Sequence, residues 1–301
     1  MNSPQKIERP AKNLLADLGL VYASAIWGST FIMVKSSLAA LDPVALVAYR
    51  FLFAALLMGV YLAWRRKPLF SNFIPGLVLG IVLLFLYIPQ TIGLKYTTAA
   101  NSGFITGLFV AFVPPLSILI PKEKPRLAQW IAVSVSLVGL WLVTGGVKAV
   151  NIGDLITLAA AFTYTLHIML TDRYAQGMED NQQFVFQQFL VVGVFSLLAA
   201  VLLDLPLTIP DLNSAGVILF LGLFPTLSAY LIQIKAQAIS SPLKVALIFA
   251  LEPVFAAIFA WTLGGETFHP LNALGGLLIF AAVIISTVRS PAGKNQPAGQ
   301  A

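Results

Sequence analysis

Apolar runs of about twenty residues, separated by short polar stretches, fill the chain from residue 14 to residue 288. At about 1.5 Å per residue, twenty helical residues cross the roughly 30 Å hydrocarbon core of a bilayer. The pattern predicts ten transmembrane helices, at 14–34, 43–63, 73–93, 97–119, 127–145, 153–173, 184–203, 214–235, 243–262 and 270–288. The loops between them leave no room for a soluble domain. Ala23-Ser24-Ala25 has the look of a leader-cleavage site. The apolar run nevertheless continues to Val34, and Asp17 interrupts a would-be leader core, so the first run is read as an uncleaved helix.

One run breaks the apolar rule. Ser240 to Trp261 carries Glu252 and Pro253 near its middle. A carboxylate there costs roughly 2.5–3.5 kcal/mol or more unless it is paired, protonated or wetted. Pro253 donates no backbone hydrogen bond, so it frees a carbonyl one turn earlier, and that carbonyl must face protein or a water-filled cavity. The run also has an echo. Asn101 to Ile118 overlays it with Ser102 on Ser241, Ala111 on Ala250, Pro114 on Pro253 and Val113 at the place of Glu252. At similar separations YRFL (Tyr49–Leu52) matches QQFL (Gln187–Leu190), FIMV (Phe31–Val34) matches HIML (His167–Leu170), and Glu123 corresponds to Glu266, each opening a helix. The chain therefore divides into an N-terminal tail 1–13, a first repeat 14–148, a second repeat 149–289 and a disordered tail 290–301. Five helices per repeat is an odd number, so the second repeat enters the membrane inverted.

Composition agrees with the pattern. Of 301 residues, 58% are hydrophobic and 10% charged, with a mean hydropathy of +0.89. Soluble domains carry about 25% charged residues, which sets this chain among polytopic membrane proteins. The net charge of +6 reflects orientation rather than nucleic-acid binding. Lys6, Arg9, Lys12, Arg65, Arg66, Lys67, Lys122, Lys124, Arg126, Arg173, Lys235, Arg289 and Lys294 fall on one side, and only Lys35, Lys95 and Lys148 on the other. By the positive-inside rule both termini are cytoplasmic. There is no cysteine, hence no disulfide framework or thiolate metal site. No G-x-x-x-x-G-K-[ST], H-E-x-x-H or G-x-S-x-G run occurs, so neither ATP hydrolysis nor a hydrolase is expected. No metal and no cofactor are implied.

In order along the chain, several stretches resemble the drug/metabolite transporter superfamily in its ten-helix EamA branch. IWGSTF (Ile26–Phe31) is similar to that branch's first helix, the arginine of YRF (Arg50) to its second, and YTTAANSGFITGL (Tyr96–Leu108) to its fourth. LEPV (Leu251–Val254) is similar to its ninth, and GGE followed by LGGLLIFAAV to its tenth. The resemblance spans nearly the whole chain. It implies a bundle of twice five helices that moves small organic solutes, usually outward: amino acids, nucleosides or toxic amphiphiles. Four-helix relatives exchange protons at a glutamate embedded in their first helix. Here the first span holds only Asp17, so that chemistry is not carried over by position.

The polar residues within the spans are the candidate substrate pathway: Trp27, Ser29, Arg50, Gln90, Asn101, Thr106, Tyr164, His167, Gln188, Tyr230, Gln233 and Glu252. Glu252 suits a substrate amine or a proton; equally it suits a structural acid beside the Pro253 kink. Arg50 suits a substrate carboxylate, or snorkelling to headgroups. His167, near Thr163 and Tyr164, suits a proton relay or an interior hydrogen bond. Amides and hydroxyls such as Gln187 either orient a solute or join helices. Gly103-x-x-x-Gly107 permits close helix packing, Lys244 reaches towards the interface, and Glu123 and Glu266 complement helix dipoles.

The expectation is an all-α integral membrane carrier of the bacterial inner membrane, with two inverted five-helix repeats. A central cavity lies between spans one to four and six to nine, and spans five and ten are peripheral. Alternating access exports small metabolites, amino acids first. Efflux of cationic amphiphiles and a channel-like facilitator are the alternatives. The expected partners are the solute and membrane lipid, with the protein a monomer or weak homodimer.

Overall fold

Every regular element among the described residues, 5–118, 125–145, 150–175, 181–262 and 267–288 of this computed structural model, is helical. The helices are α1 (Gln5–Ser37), α2 (Pro43–Trp64), α3 (Phe73–Tyr96), α4 (Ala99–Gly107), α5 (Phe109–Ser117), α6 (Leu127–Thr144) and α7 (Ile152–Ala175). They continue as α8 (Gln182–Leu202), α9 (Leu212–Leu221), a π-helical turn (Gly222–Ser228), α10 (Ala229–Gln237), α11 (Pro242–Phe249), α12 (Glu252–Thr262) and α13 (Pro270–Val288). Seven stretches are long and apolar enough to cross a membrane, and three shorter apolar helices complete the ten spans. Residues 290–301, Glu123 and Glu266 lie outside the described residues, as do Lys122, Lys124, Lys148, Arg289 and Lys294.

Helix ends follow their capping residues. The Asp42 carboxylate accepts from Val44 N (2.8 Å) and Ala45 N (3.2 Å) ahead of Pro43. Thr98 caps α4, Asp211 caps α9 and Ser241 caps α11 ahead of Pro242. Each cap satisfies an amide that has no partner within its own helix. At the other extreme, α1 does not wait for the apolar run; it begins at Gln5 and runs unbroken to Ser37.

Among the described residues three spans are interrupted, each near proline. The fourth breaks at Leu108, ahead of Pro114 and Pro115. The eighth widens into the π turn around Pro225. The ninth breaks at Ala250–Leu251, so Glu252 opens α12 and Pro253 follows it. At this break the Ser24 hydroxyl of α1 lies 3.1 Å from Ile248 O and 2.9 Å from Leu20 O, and Phe249, whose carbonyl Pro253 leaves without its helical donor, is fully buried against protein. A side chain on Gly28 would meet the Glu252 carbonyl at 2.5 Å, so only glycine lets α1 pass this close.

The two halves pack with two-fold symmetry. α3 lies along α7 and α1 along α10; α4 packs on α7 and α11 on α1; α2 pairs with α8, and α6 with α13. Exchanging the halves maps each of these contacts onto another or onto itself, as an axis in the membrane plane requires. The peripheral pair α6–α13 closes through glycine: a Cβ on Gly139 would lie 2.6 Å from Gly275 O. Of Gly103 and Gly107, only Gly107 makes a close approach, 2.9 Å from the Leu140 side chain. For Gly103 the nearest neighbour, Phe31, is at ordinary contact distance.

The helix starts correct the register of the repeat. α11, α12 and α13 each begin 143 residues after α4, α5 and α6. On that register Ser241 corresponds to Thr98 and Glu252 to Phe109, one helical turn away from the overlay that placed Ser102 on Ser241 and Val113 on Glu252. The overlay matched prolines. The capping hydroxyls set the register instead, because they fix where a helix starts, whereas a proline only breaks a helix already under way.

Candidate functional site

Aromatic rings from both halves meet at the centre of the bundle. Trp27 of α1 lies edge-on to Phe249 (4.8 Å) and against Tyr230 (5.4 Å) and Tyr164 (6.2 Å). Phe109 packs on Tyr164 at 4.5 Å, and Phe51 on Tyr87 at 4.7 Å. The Tyr230 hydroxyl donates to the Tyr87 hydroxyl at 3.1 Å. Beside these rings is a cavity of about 40 Å³. A water needs about 10–15 Å³ by this measure, so the cavity holds about three waters. It runs from Glu252 and Tyr230 past Arg50 to Val34 and Leu94, towards the end of the bundle where α1 and α3 finish.

Arg50 is only 4% exposed, so it does not snorkel. Its guanidinium lies 4.7 Å over the Tyr87 ring, and Nε donates to Thr226 Oγ1 at 3.0 Å. The π turn makes that acceptor available. Pro225 cannot donate to Leu221 O, so the ladder widens to the next residue, and the Thr226 hydroxyl also donates to Leu221 O (2.7 Å). The same turn offers Pro225 O to the Trp27 indole at 2.7 Å. Two pathway candidates are thus held by one irregular turn. Glu252, only 6% exposed, borders the cavity from the first turn of α12, where the helix dipole favours negative charge. Arg50 and Glu252 border the same space and form no ion pair with each other.

Six of the twelve expected residues meet at this cavity: Trp27, Arg50, Gln90, Tyr164, Tyr230 and Glu252. The other six stand apart from it. Thr106 accepts from Gln90 Nε2 at 3.1 Å and so holds a lining residue from behind. Ser29 turns its hydroxyl back to Ile26 O, and the Asn101 backbone N–H donates to the Thr98 cap. His167 Nε2 pairs with Gln188 Oε1 at 2.9 Å, and Gln233 donates to Gln237 at 2.8 Å, both deeper between the helices. Gln187 joins α8 to the carbonyls of Leu69 and Ser71 at 2.9 Å each, a structural use. Lys244 does not reach the interface alone; its ammonium lies 2.6 Å and 2.8 Å from the two Asp17 oxygens.

Sequence reasoning missed Thr30, Tyr87 and Thr91, which also line the cavity. A signal for Tyr87 was present: Tyr87-Ile-Pro-Gln90 recurs 143 residues later as Tyr230-Leu-Ile-Gln233. Among the described residues no group of three or more His, Cys, Asp or Glu side chains comes together to hold a metal ion.

Comparison with known proteins places this geometry. The sequence model of the EamA-like transporter family matches twice, over residues 14–145 and 151–288. The chain is 32% identical over 281 residues to an uncharacterized transporter of Archaeoglobus fulgidus, covering 92% of this chain and 87% of that one. It is 24% identical over 295 residues to the uncharacterized inner membrane transporter YedA of Escherichia coli K12, covering 91% and 92%. A solved crystal structure shares the fold, with a TM-score of 0.77 at 20% identity over 93% of this chain and 97% of that one.

Proposed function

The chain belongs to the EamA-like transporter family, and from that premise we propose that it is a secondary carrier of small zwitterionic metabolites, amino acids first, working by alternating access. The observation that carries this reading is the pair Arg50 and Glu252, a buried guanidinium and a buried carboxyl group that border one cavity with no ion pair between them. A guanidinium suits a carboxylate, a carboxylate suits an ammonium group, and the rings of Trp27, Tyr87, Tyr164 and Tyr230 offer flat apolar faces between them. The cavity is too small for such a solute as it stands, so the halves must part to admit one. Inverted repeats supply that motion, since two halves can exchange conformations about a shared axis. The lysine and arginine bias supports both termini lying in the cytoplasm, and the family resemblance favours export across a bacterial inner membrane.

Uptake of an amino-acid panel into proteoliposomes, with and without an imposed pH gradient, tests the reading. Glu252→Gln keeps shape and removes charge. Losing a hydrogen bond to a charged group is worth roughly 1.5–3 kcal/mol, so affinity for an amine-bearing solute should fall about tenfold or more. Full transport by Glu252→Gln rejects the role of Glu252. Accumulation that needs the gradient identifies proton exchange, whereas pH-indifferent equilibration identifies a uniporter. A second reading rests on the aromatic cage beside Glu252: organic cations suit it through cation–π contact. Transport of cationic amphiphiles but of no zwitterion selects that reading. Saturable counterflow separates either carrier from a channel-like pore.

A further inference from the structure

The cavity lies on one side of the Tyr87–Tyr230 contact. Thr30 and Val34 of α1, Gln90 and Leu94 of α3 and Arg50 of α2 line it, and the two-fold relation gives each a mate in the other half. The separation of 137 residues between the starts of the two family matches also relates Asp17 to Asp154, and it carries Thr30 to His167 and Val34 to Thr171, one residue off the FIMV–HIML match that set Phe31 on His167. The separation of 143 that relates the later helices carries Gln90 to Gln233 and Leu94 to Gln237. Arg50 falls on Gln188 in the YRFL–QQFL match.

All five mates are polar, including those of the apolar Val34 and Leu94, yet they are shut away. His167, Thr171, Gln188 and Gln233 are 1–2% exposed. His167 Nδ1, Thr171 Oγ1 and Gln233 Oε1 have no hydrogen-bond partner. Buried polar atoms almost always find one, so three orphans along the seam between α7 and α10 call for an explanation. The seam is drawn together by Gln237, whose Nε2 donates to Ile168 O of α7 at 2.8 Å while its Oε1 accepts from Gln233.

We infer that the seam between α7 and α10 is the second half of the solute path, closed in this structure, and that His167, Thr171, Gln188 and Gln233 line the cavity that opens to the opposite end of the bundle. The inference rests on the alternating-access reading above and adds the residues and chemistry of the unseen side. That side offers amides, a hydroxyl and an imidazole in place of a guanidinium. A zwitterion passing from one half-path to the other therefore exchanges the Arg50 charge for the neutral hydrogen bonds of Gln188 and His167.

The chain has no cysteine, so single cysteines report without background. Thr91→Cys marks the present cavity, and Thr171→Cys and Gln233→Cys mark the seam. Ser136→Cys in α6, fully buried and likewise unpartnered, marks a merely buried site. Each is reconstituted in vesicles of known orientation and treated with a membrane-impermeant maleimide from either face. Thr91→Cys should label from the face where α1 ends, Thr171→Cys and Gln233→Cys from the opposite face, and Ser136→Cys from neither. Adding Gln237→Ala, which cuts the bond to α7, should raise the Thr171→Cys rate several-fold and lower that of Thr91→Cys. Labelling of both seam positions from the Thr91 face overturns the inference. So do rates no faster than Ser136→Cys with and without Gln237→Ala. Two-sided labelling without transport of any zwitterion leaves the half-path standing and removes the solute class. Transport with a dark seam does the reverse.

Discussion

Tyr87 and Tyr230 stand 143 residues apart, each followed three positions later by a glutamine, and their hydroxyls meet at 3.1 Å. Symmetry mates can touch each other only on the axis that relates them, so this contact marks the centre of the two-fold relation. Arg50, lying 4.7 Å over the Tyr87 ring, brings a charge of the first half up to that centre. Glu252 has no such mate: its counterpart by helix start is Phe109, packed on Tyr164. The bundle is symmetric in its helices and asymmetric in its charges.

The π turn and Arg50 stand or fall together. Thr226→Val removes one of the donors to Leu221 O and the acceptor that holds Arg50 Nε. A buried group left unsatisfied costs about 1–3 kcal/mol. Thermal unfolding in detergent should show a lowered midpoint, and solute affinity should fall with it. Thr226→Ser, which keeps the hydroxyl, should retain both. An unchanged Thr226→Val would mean that Arg50 is placed by Tyr87 and Phe51 alone.

Asp17 and Lys244 join α1 to α11 across the two halves, with side chains about a quarter exposed at 28% and 26%. Partly exposed pairs are worth roughly 0.2–1 kcal/mol. A double-mutant cycle on Asp17→Asn and Lys244→Gln should return a coupling of about that size. The exchange Asp17→Lys with Lys244→Asp should recover most of the stability lost by either single reversal. Additive single effects would show that the two charges sit together without stabilising the bundle.

Gly139 and Gly275 let α6 and α13 touch backbone to backbone. Gly139→Leu must push the helices apart, and overpacking of this kind costs roughly 1–3 kcal/mol or more. Because α6 and α13 do not line the cavity, residual folded protein should keep its solute affinity. A stable Gly139→Leu variant with altered affinity would place the peripheral pair in the path.

Asp211 lies outside the spans, where the Ser214 backbone amide donates to its carboxylate at 2.7 Å and holds its pKa below the ordinary value of 3.8. A carboxyl with a depressed folded-state pKa stabilises the fold above its unfolded value and loses that contribution as pH falls through the folded one. Acid unfolding of the natural chain should therefore steepen below about pH 3.8. Asp211→Asn caps the helix without titrating and should flatten that part of the curve. Identical acid profiles would show that this cap is not coupled to unfolding.

Much of the architecture was legible along the chain. Apolar runs of bilayer length marked the ten spans, and the odd number of helices per repeat dictated inversion, because lipid admits only segments whose backbone is satisfied within themselves. Glu252 beside Pro253 announced a broken helix, and the ninth span does break, at Ala250–Leu251. The remainder depended on facing. Tyr87 and Thr91 sit in a run where an aromatic or a threonine reads the same towards lipid as towards a cavity. Only packing turned them inward, while His167, Gln188 and Gln233, equally polar in sequence, were drawn into a closed seam. The pairing of Lys244 with Asp17, 227 residues away, and the convergence of Arg50 with Glu252 on one cavity follow from which helix lies beside which. Hydropathy along one dimension carries no record of that, since every span satisfies the bilayer equally well; side-chain packing and the two-fold exchange of the halves decided it.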